Sequence, residues 1–133
     1  MEYLNGTRDL GIVFKRLRAD FSLPEDALQA FCDASFASDH GYKSRMGYFF
    51  FFLGGLVSWS SSLSTRVMSS STEAECHALI LTGKENIWER EFIQQLKIFR
   101  GRASGIPPTE VFQDNRAALL LSAGAPCHNS TLA

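Results

Sequence analysis

Net charge is almost lacking in this 133-residue chain, where thirteen basic and fourteen acidic side chains leave −1 at pH 7. A global field that would draw the chain to nucleic acid is thereby excluded, and any basic face has to be local. Arg8, Lys15, Arg16 and Arg18 near the start, with Lys43 and Arg45 further on, are the candidates; basic residues scattered like this ordinarily form a solvated face. Cysteine is also scarce. Cys32, Cys76 and Cys127 are an odd set with no dense framework, which argues against a disulfide scaffold and for free thiols in a reducing compartment. None of their spacings is Cys-x-x-Cys, so a structural zinc site completed by His40, His77 or His128 is not expected. A cysteine nucleophile with His128 as base has no support in spacing either.

Long apolar runs are lacking too. The longest, residues 46–57, holds twelve residues against the ~18 a membrane helix needs, and the start of the chain shows no signal-peptide pattern. No membrane partner is expected, and the expected location is intracellular and cytoplasmic, not secreted. Internal repeats and phosphate-cradling glycine motifs are absent. What remains is an ordinary globular composition, 45% hydrophobic and 20% charged, of a length that suits one domain over residues 1–133.

Residues 11–14 read as a short strand or an extended lead-in, and residues 27–33 as a strand buried on both faces that ends at Asp33. Residues 46–53 and 56–60 flank Gly54-Gly55 and predict a β-hairpin. Phe49, Phe50, Phe51 and Phe52 put two rings on each face of it, so one face needs cover. Ser70 with Glu73, or Thr72 with Glu75, fits a capping box at the start of a long helix reaching about Leu96. Its apolar side is read from Ala74, Ala78, Leu79, Leu81, Trp88, Phe92 and Leu96, with Gly83 a weak point, and Trp59 and Trp88 are expected in the core. Breaks at Arg100-Gly101 and Gly105-Ile106-Pro107-Pro108 precede a short strand over 110–113. A short helix over 116–122 follows, capped by Asp114 or Asn115. The order gives a mixed α/β domain with antiparallel middle strands.

Asp33, Glu75 and Asp114 stand out in this layout. Each has a structural explanation on its own: a strand-end Asp satisfies turn amides, and a first-turn Glu favours the helix dipole. Together, three carboxylates from separate elements are what a nuclease needs to hold divalent ions against a phosphodiester. Glu75 is preferred over Glu73 because Ala78, Leu79 and Thr82 lie on its side of the helix, whereas Glu73 sits about 200° round and suits a cap.

Six segments in order add to this: Tyr3-Leu4-Asn5-Gly6-Thr7-Arg8-Asp9-Leu10-Gly11, Cys32-Asp33-Ala34-Ser35, Ser44-Arg45-Met46-Gly47-Tyr48, Ser58-Trp59-Ser60-Ser61, Ser70-Ser71-Thr72-Glu73-Ala74-Glu75 and Gln113-Asp114-Asn115-Arg116-Ala117-Ala118. This series resembles the ribonuclease H region of copia-type retrotransposon Pol polyproteins over nearly the whole chain. The resemblance implies a ribonuclease H-like α/β fold, a mixed sheet with packed helices, and hydrolysis of the RNA strand of an RNA/DNA hybrid during reverse transcription. It implies Asp33, Glu75 and Asp114 as catalytic residues and metal ligands for two Mg²⁺ ions, or Mn²⁺, one activating water and the other stabilising the leaving oxygen. Ser71 and Asn115 are candidate substrate contacts to 2′-hydroxyls. The implied partners are the hybrid and the reverse transcriptase domain of the parent polyprotein, inside the element's virus-like particle, with residues 1–20 a remnant of the connection between the two domains.

Two departures from the family pattern stand out. Ser35 replaces a second acid that several members carry, and the tail departs after Pro126-Cys127-His128-Asn129, so the last helix and a fourth carboxylate are expected to be lacking and apolar sheet surface to be left without cover. An inactive, truncated retroelement remnant, at most a folded or nucleic-acid-binding module, is the alternative reading.

Overall fold

A computed structural model describes residues 2–14, 27–97 and 106–123. The polar segment around Pro24, the Arg100-Gly101 break and the tail carrying Cys127 and His128 lie outside the described residues. The elements are α1 (Glu2–Gly6), β1 (Gln29–Asp39), β2 (Lys43–Phe52), β3 (Gly55–Val67), α2 (Ser71–Gln95), β4 (Glu110–Phe112) and α3 (Arg116–Ser122). The four strands form one sheet in the order β3-β2-β1-β4. The β1–β2 and β2–β3 pairs are antiparallel and β1–β4 is parallel, so this is the mixed α/β fold expected, compatible with a ribonuclease H-like arrangement.

The expected hairpin is present, with its turn one residue earlier than the glycine pair suggests. Leu53 and Gly54 take the two positive φ angles, 56° and 72°, while Gly55 already pairs with Phe52. Two central residues at positive φ make the turn whose twist matches the flanking strands. Gly55 serves another purpose: a Cβ there would stand 2.3 Å from the ring of Phe14. Residues 11–14, expected as a strand or an extended lead-in, pair with none of the described strands, and Phe14 lies over Gly55.

β1 is longer than expected and buried on one face only. Leu28, Ala30 and Cys32 are buried, whereas Phe31 is half-buried and Asp33 exposed, and the strand runs past Asp33 to Asp39. The alternation follows from the pleat: α2 covers one face, and the residues between point to the other. On the covered face Phe50, fully buried, packs with Leu28, Ala30, Phe52 and Ile93. On the opposite face Phe31 stacks between Phe49 and Phe112, with ring centroids 5.0 and 4.6 Å apart, and Phe51 meets Phe31 edge-on. Phe49 and Phe112 remain more than 40% exposed there, so the four rings do divide two to a face, and only Phe50 and Phe52 are deeply covered.

α2 starts where expected. Ser70 is the N-cap and accepts from the Glu73 amide, while the Glu73 carboxylate reaches back one residue further than a capping box, to the amide and hydroxyl of Ser69. The Thr72–Glu75 alternative is not used, which leaves Glu75 available elsewhere. The apolar side of the helix is corrected in its second half. Ala74, Glu75, Ala78, Thr82, Glu89 and Ile93 are buried, whereas Trp88, Phe92 and Leu96 are about half exposed. At about 100° per residue, Trp88 and Phe92 fall roughly 100–140° off the line through Glu75, Thr82 and Ile93. They stack on each other at 5.3 Å instead. Trp59, also expected in the core, is 62% exposed on β3.

That buried line carries a carboxylate into the protein. Glu89 is only 4% exposed, beside Ser58 and Glu85, and Ser58 Oγ donates to Glu85 Oε1 at 2.6 Å. Burial first, then the Glu85 charge, raise the Glu89 pKa above its ordinary value of 4.5. The neutral form is the one that suits the fold, so this contribution to stability is full below the unfolded value and is lost as pH rises through the folded one. Glu89→Gln should therefore raise stability at pH 7, by roughly the 0.5–2 kcal/mol typical of relieving an unfavourable charge, and flatten its fall above pH 4.5. Thermal unfolding of both proteins from pH 4 to 8 would show this, and an unchanged pH dependence would count against it.

Candidate metal centre

Three elements converge where the β1–β4 pairing stops. Their register, Gln29↔Glu110, Ala30↔Val111 and Phe31↔Phe112, ends with β4 at Phe112, and its continuation would set Asp114 beside Asp33. Asp33 presents itself on the exposed face of β1, with Oδ1 accepting from the Ala34 amide at 2.8 Å. Glu75 enters from the second turn of α2, on the covered face, and is 7% exposed. Arg90, further along the same helix, donates to the carbonyls of Pro107 at 2.7 Å and Ile106 at 3.4 Å and to Thr109 Oγ1 at 3.2 Å. That clamp ties the approach to β4, and so the strand that carries Asp114, to α2.

Oxygen atoms of Asp33, Glu75 and Asp114 lie within 4.8 Å of one another. In an octahedral shell with metal–oxygen bonds near 2.1 Å, ligand oxygens stand about 3.0–4.2 Å apart, so small side-chain adjustments bring the three onto one ion. The electrostatics agree. Burial raises the Glu75 pKa, a hydrogen bond from Gln113 opposes that, and the neighbouring Asp33 and Asp114 charges raise it again. Carboxylates packed together in this way are relieved by a divalent cation. Cys32, directly behind them, does not join the donor set: burial pushes its thiol up, and Sγ donates to the Phe112 carbonyl at 3.8 Å. An all-oxygen set fits a hard cation such as Mg²⁺ or Mn²⁺.

The remaining candidates divide. Ser71 is exposed at the first position of α2. Asn115 is the N-cap of α3, its Oδ1 accepting from the Ala118 amide at 3.0 Å, so the capping role falls to it and not to Asp114. Sequence reasoning passed over Gln113, whose amide donates to Glu75 Oε2 at 2.8 Å. It also passed over Arg90; in both cases the partners are remote in sequence and no local spacing signals them. A groove of about 600 Å³ leads to the carboxylates, with Phe31, Phe49, Phe112 and Leu119 on its apolar side and Asp33 and Asp114 at its acidic end. Cys32 is a buried free thiol and Cys76 a half-buried one.

The chain is 37% identical over 112 residues, 84% of its length, to the retrovirus-related Pol polyprotein from transposon TNT 1-94 of Nicotiana tabacum. It is 32% identical over 130 residues, 97% of its length, to those from transposons RE2 and RE1 of Arabidopsis thaliana. The chain is homologous to retrotransposon Pol polyproteins. The chain spans about 8% of the length of each of these three relatives. No protein-family model and no solved structure matches it. Among the described residues, no helix is long and apolar enough to cross a membrane.

Proposed function

We propose that this retroelement-derived domain is a ribonuclease H that cleaves the RNA strand of an RNA/DNA hybrid during reverse transcription, with two Mg²⁺ ions, or Mn²⁺, as cofactors. The observation that carries the reading is the meeting of Asp33, Glu75 and Asp114, from β1, α2 and the residues after β4, with oxygens within 4.8 Å. Homology to Pol polyproteins supplies the setting in which a hybrid and a reverse transcriptase would be its partners.

In this reading the three side chains hold the cations and set where the scissile phosphate lies. Bound divalent ions would supply activation of water and stabilisation of the leaving oxygen. Asp33 and Asp114, both exposed, face the substrate side, while buried Glu75 anchors the site to the helix. Ser71 at the helix start and the Asn115 amide are the proposed contacts to 2′-hydroxyls, the groups by which a protein tells RNA from DNA.

The test is cleavage of an end-labelled RNA/DNA hybrid by the purified chain in Mg²⁺, against EDTA and against a DNA duplex of the same sequence. Cutting confined to the RNA strand and abolished by EDTA is expected. A folded protein that leaves the hybrid intact in Mg²⁺ and Mn²⁺ would overturn the reading and favour an inactive remnant.

A further inference from the structure

We propose that Gln113 is a positioning residue of the carboxylate site, holding Glu75 and the backbone of Asp114 in one geometry through a single amide. The inference rests on the metal-dependent reading above. Gln113 Nε2 donates to Glu75 Oε2 at 2.8 Å, and its Oε1 accepts from the backbone amide of Asp114 at 2.8 Å and that of Asn115 at 3.5 Å. Only one orientation of the side-chain amide satisfies these contacts, because an ionised carboxylate accepts and a backbone N–H donates.

Three consequences follow from that geometry. Glu75, buried on α2, gains a donor that favours its ionised form and fixes the plane of its carboxylate. The chain just after β4 is drawn toward α2, so Asp114 is presented from a turn held at both ends: Arg90 clamps residues 106–109 before the strand and Gln113 ties down the residues after it. The two ligands therefore keep their separation without an ion, at the point where sheet pairing between β1 and β4 has ended. Preorganisation of this kind, by a group that touches ligands and not the metal, commonly changes metal affinity 10–100-fold.

The experiment is a titration of the full chain with Mn²⁺, read by electron paramagnetic resonance of the free ion, for wild type, Asp33→Asn, Gln113→Ala and Gln113→Met. Methionine keeps the unbranched length and packing of glutamine and removes all three hydrogen bonds. Both Gln113 variants are expected to bind Mn²⁺ about 10–100-fold more weakly than wild type, the Met variant unfolding close to the wild-type temperature. Weakening in the Ala variant alone would mean that Gln113 acts by packing, and would overturn the inference. Wild-type binding that is lost in Asp33→Asn and unchanged in both Gln113 variants would overturn it while leaving the metal site standing. Absence of Mn²⁺ binding in the wild type would overturn the metal reading, and this inference with it.

Discussion

Asp33→Asn is expected to reduce metal-dependent cleavage of an RNA/DNA hybrid by at least about 10³-fold, the scale on which loss of a group acting on the transition state is felt. The substitution is chosen for what it leaves alone. Asp33 is exposed on β1, and its Oδ1 only accepts from the neighbouring Ala34 amide, a bond that an asparagine oxygen makes equally well. Thermal stability should therefore stay within about 0.5 kcal/mol of wild type, as for surface changes generally. What is lost is one of three carboxylates converging within 4.8 Å, and with it a proposed ligand for which an amide oxygen is a poor exchange beside a divalent cation. Single-turnover cleavage and circular dichroism of the same preparations would check both halves. Activity within tenfold of wild type would remove Asp33 from the site.

Phe50→Ala should be the most damaging change to the fold, costing roughly 3–5 kcal/mol of the ~5–15 kcal/mol that holds a domain of this size together. Phe50 is fully buried, opposite Ala30 in the β1–β2 ladder, against Leu28, Phe52 and Ile93, with its ring edge-on to Tyr48 at 5.7 Å. The small partner at Ala30 cannot fill the space a missing ring leaves, so a cavity persists. Phe49→Ala, one residue away and 41% exposed on the other face, should cost much less. Urea unfolding of the two variants gives the comparison directly, and equal losses would mean that the two faces are equally buried.

That contrast shows why four consecutive phenylalanines were only half legible. Alternation alone assigns two rings to each face, because strand side chains have a period of two. Which face is covered depends on where α2 lands, and that is a long-range matter. The same holds for β1, where an apolar run suggested burial on both sides and only the side under α2 is deeply buried. On α2 the N-cap at Ser70 was legible because capping is local chemistry between Ser70 and Glu73. The buried line was not, since the helix admits Thr82 and Glu89 to the interior and leaves Trp88 and Phe92 on its flank. Hydrophobicity ranks residues, but the direction set by helical pitch decides which of them meet the sheet.

By itself the amino-acid sequence determined the order of elements from β1 onward, with the hairpin and the helix start read from patterns spanning a few positions, and Asp33, Glu75 and Asp114 as the residues to watch from their combination along the chain. Tertiary structure decided that these three meet, through the parallel β1–β4 register and the packing of α2 on β1, and that Gln113 and Arg90 tie the meeting point together. Contacts between residues 17 to 38 positions apart leave no periodic trace in a chain, because nothing in local geometry requires either partner to be where it is.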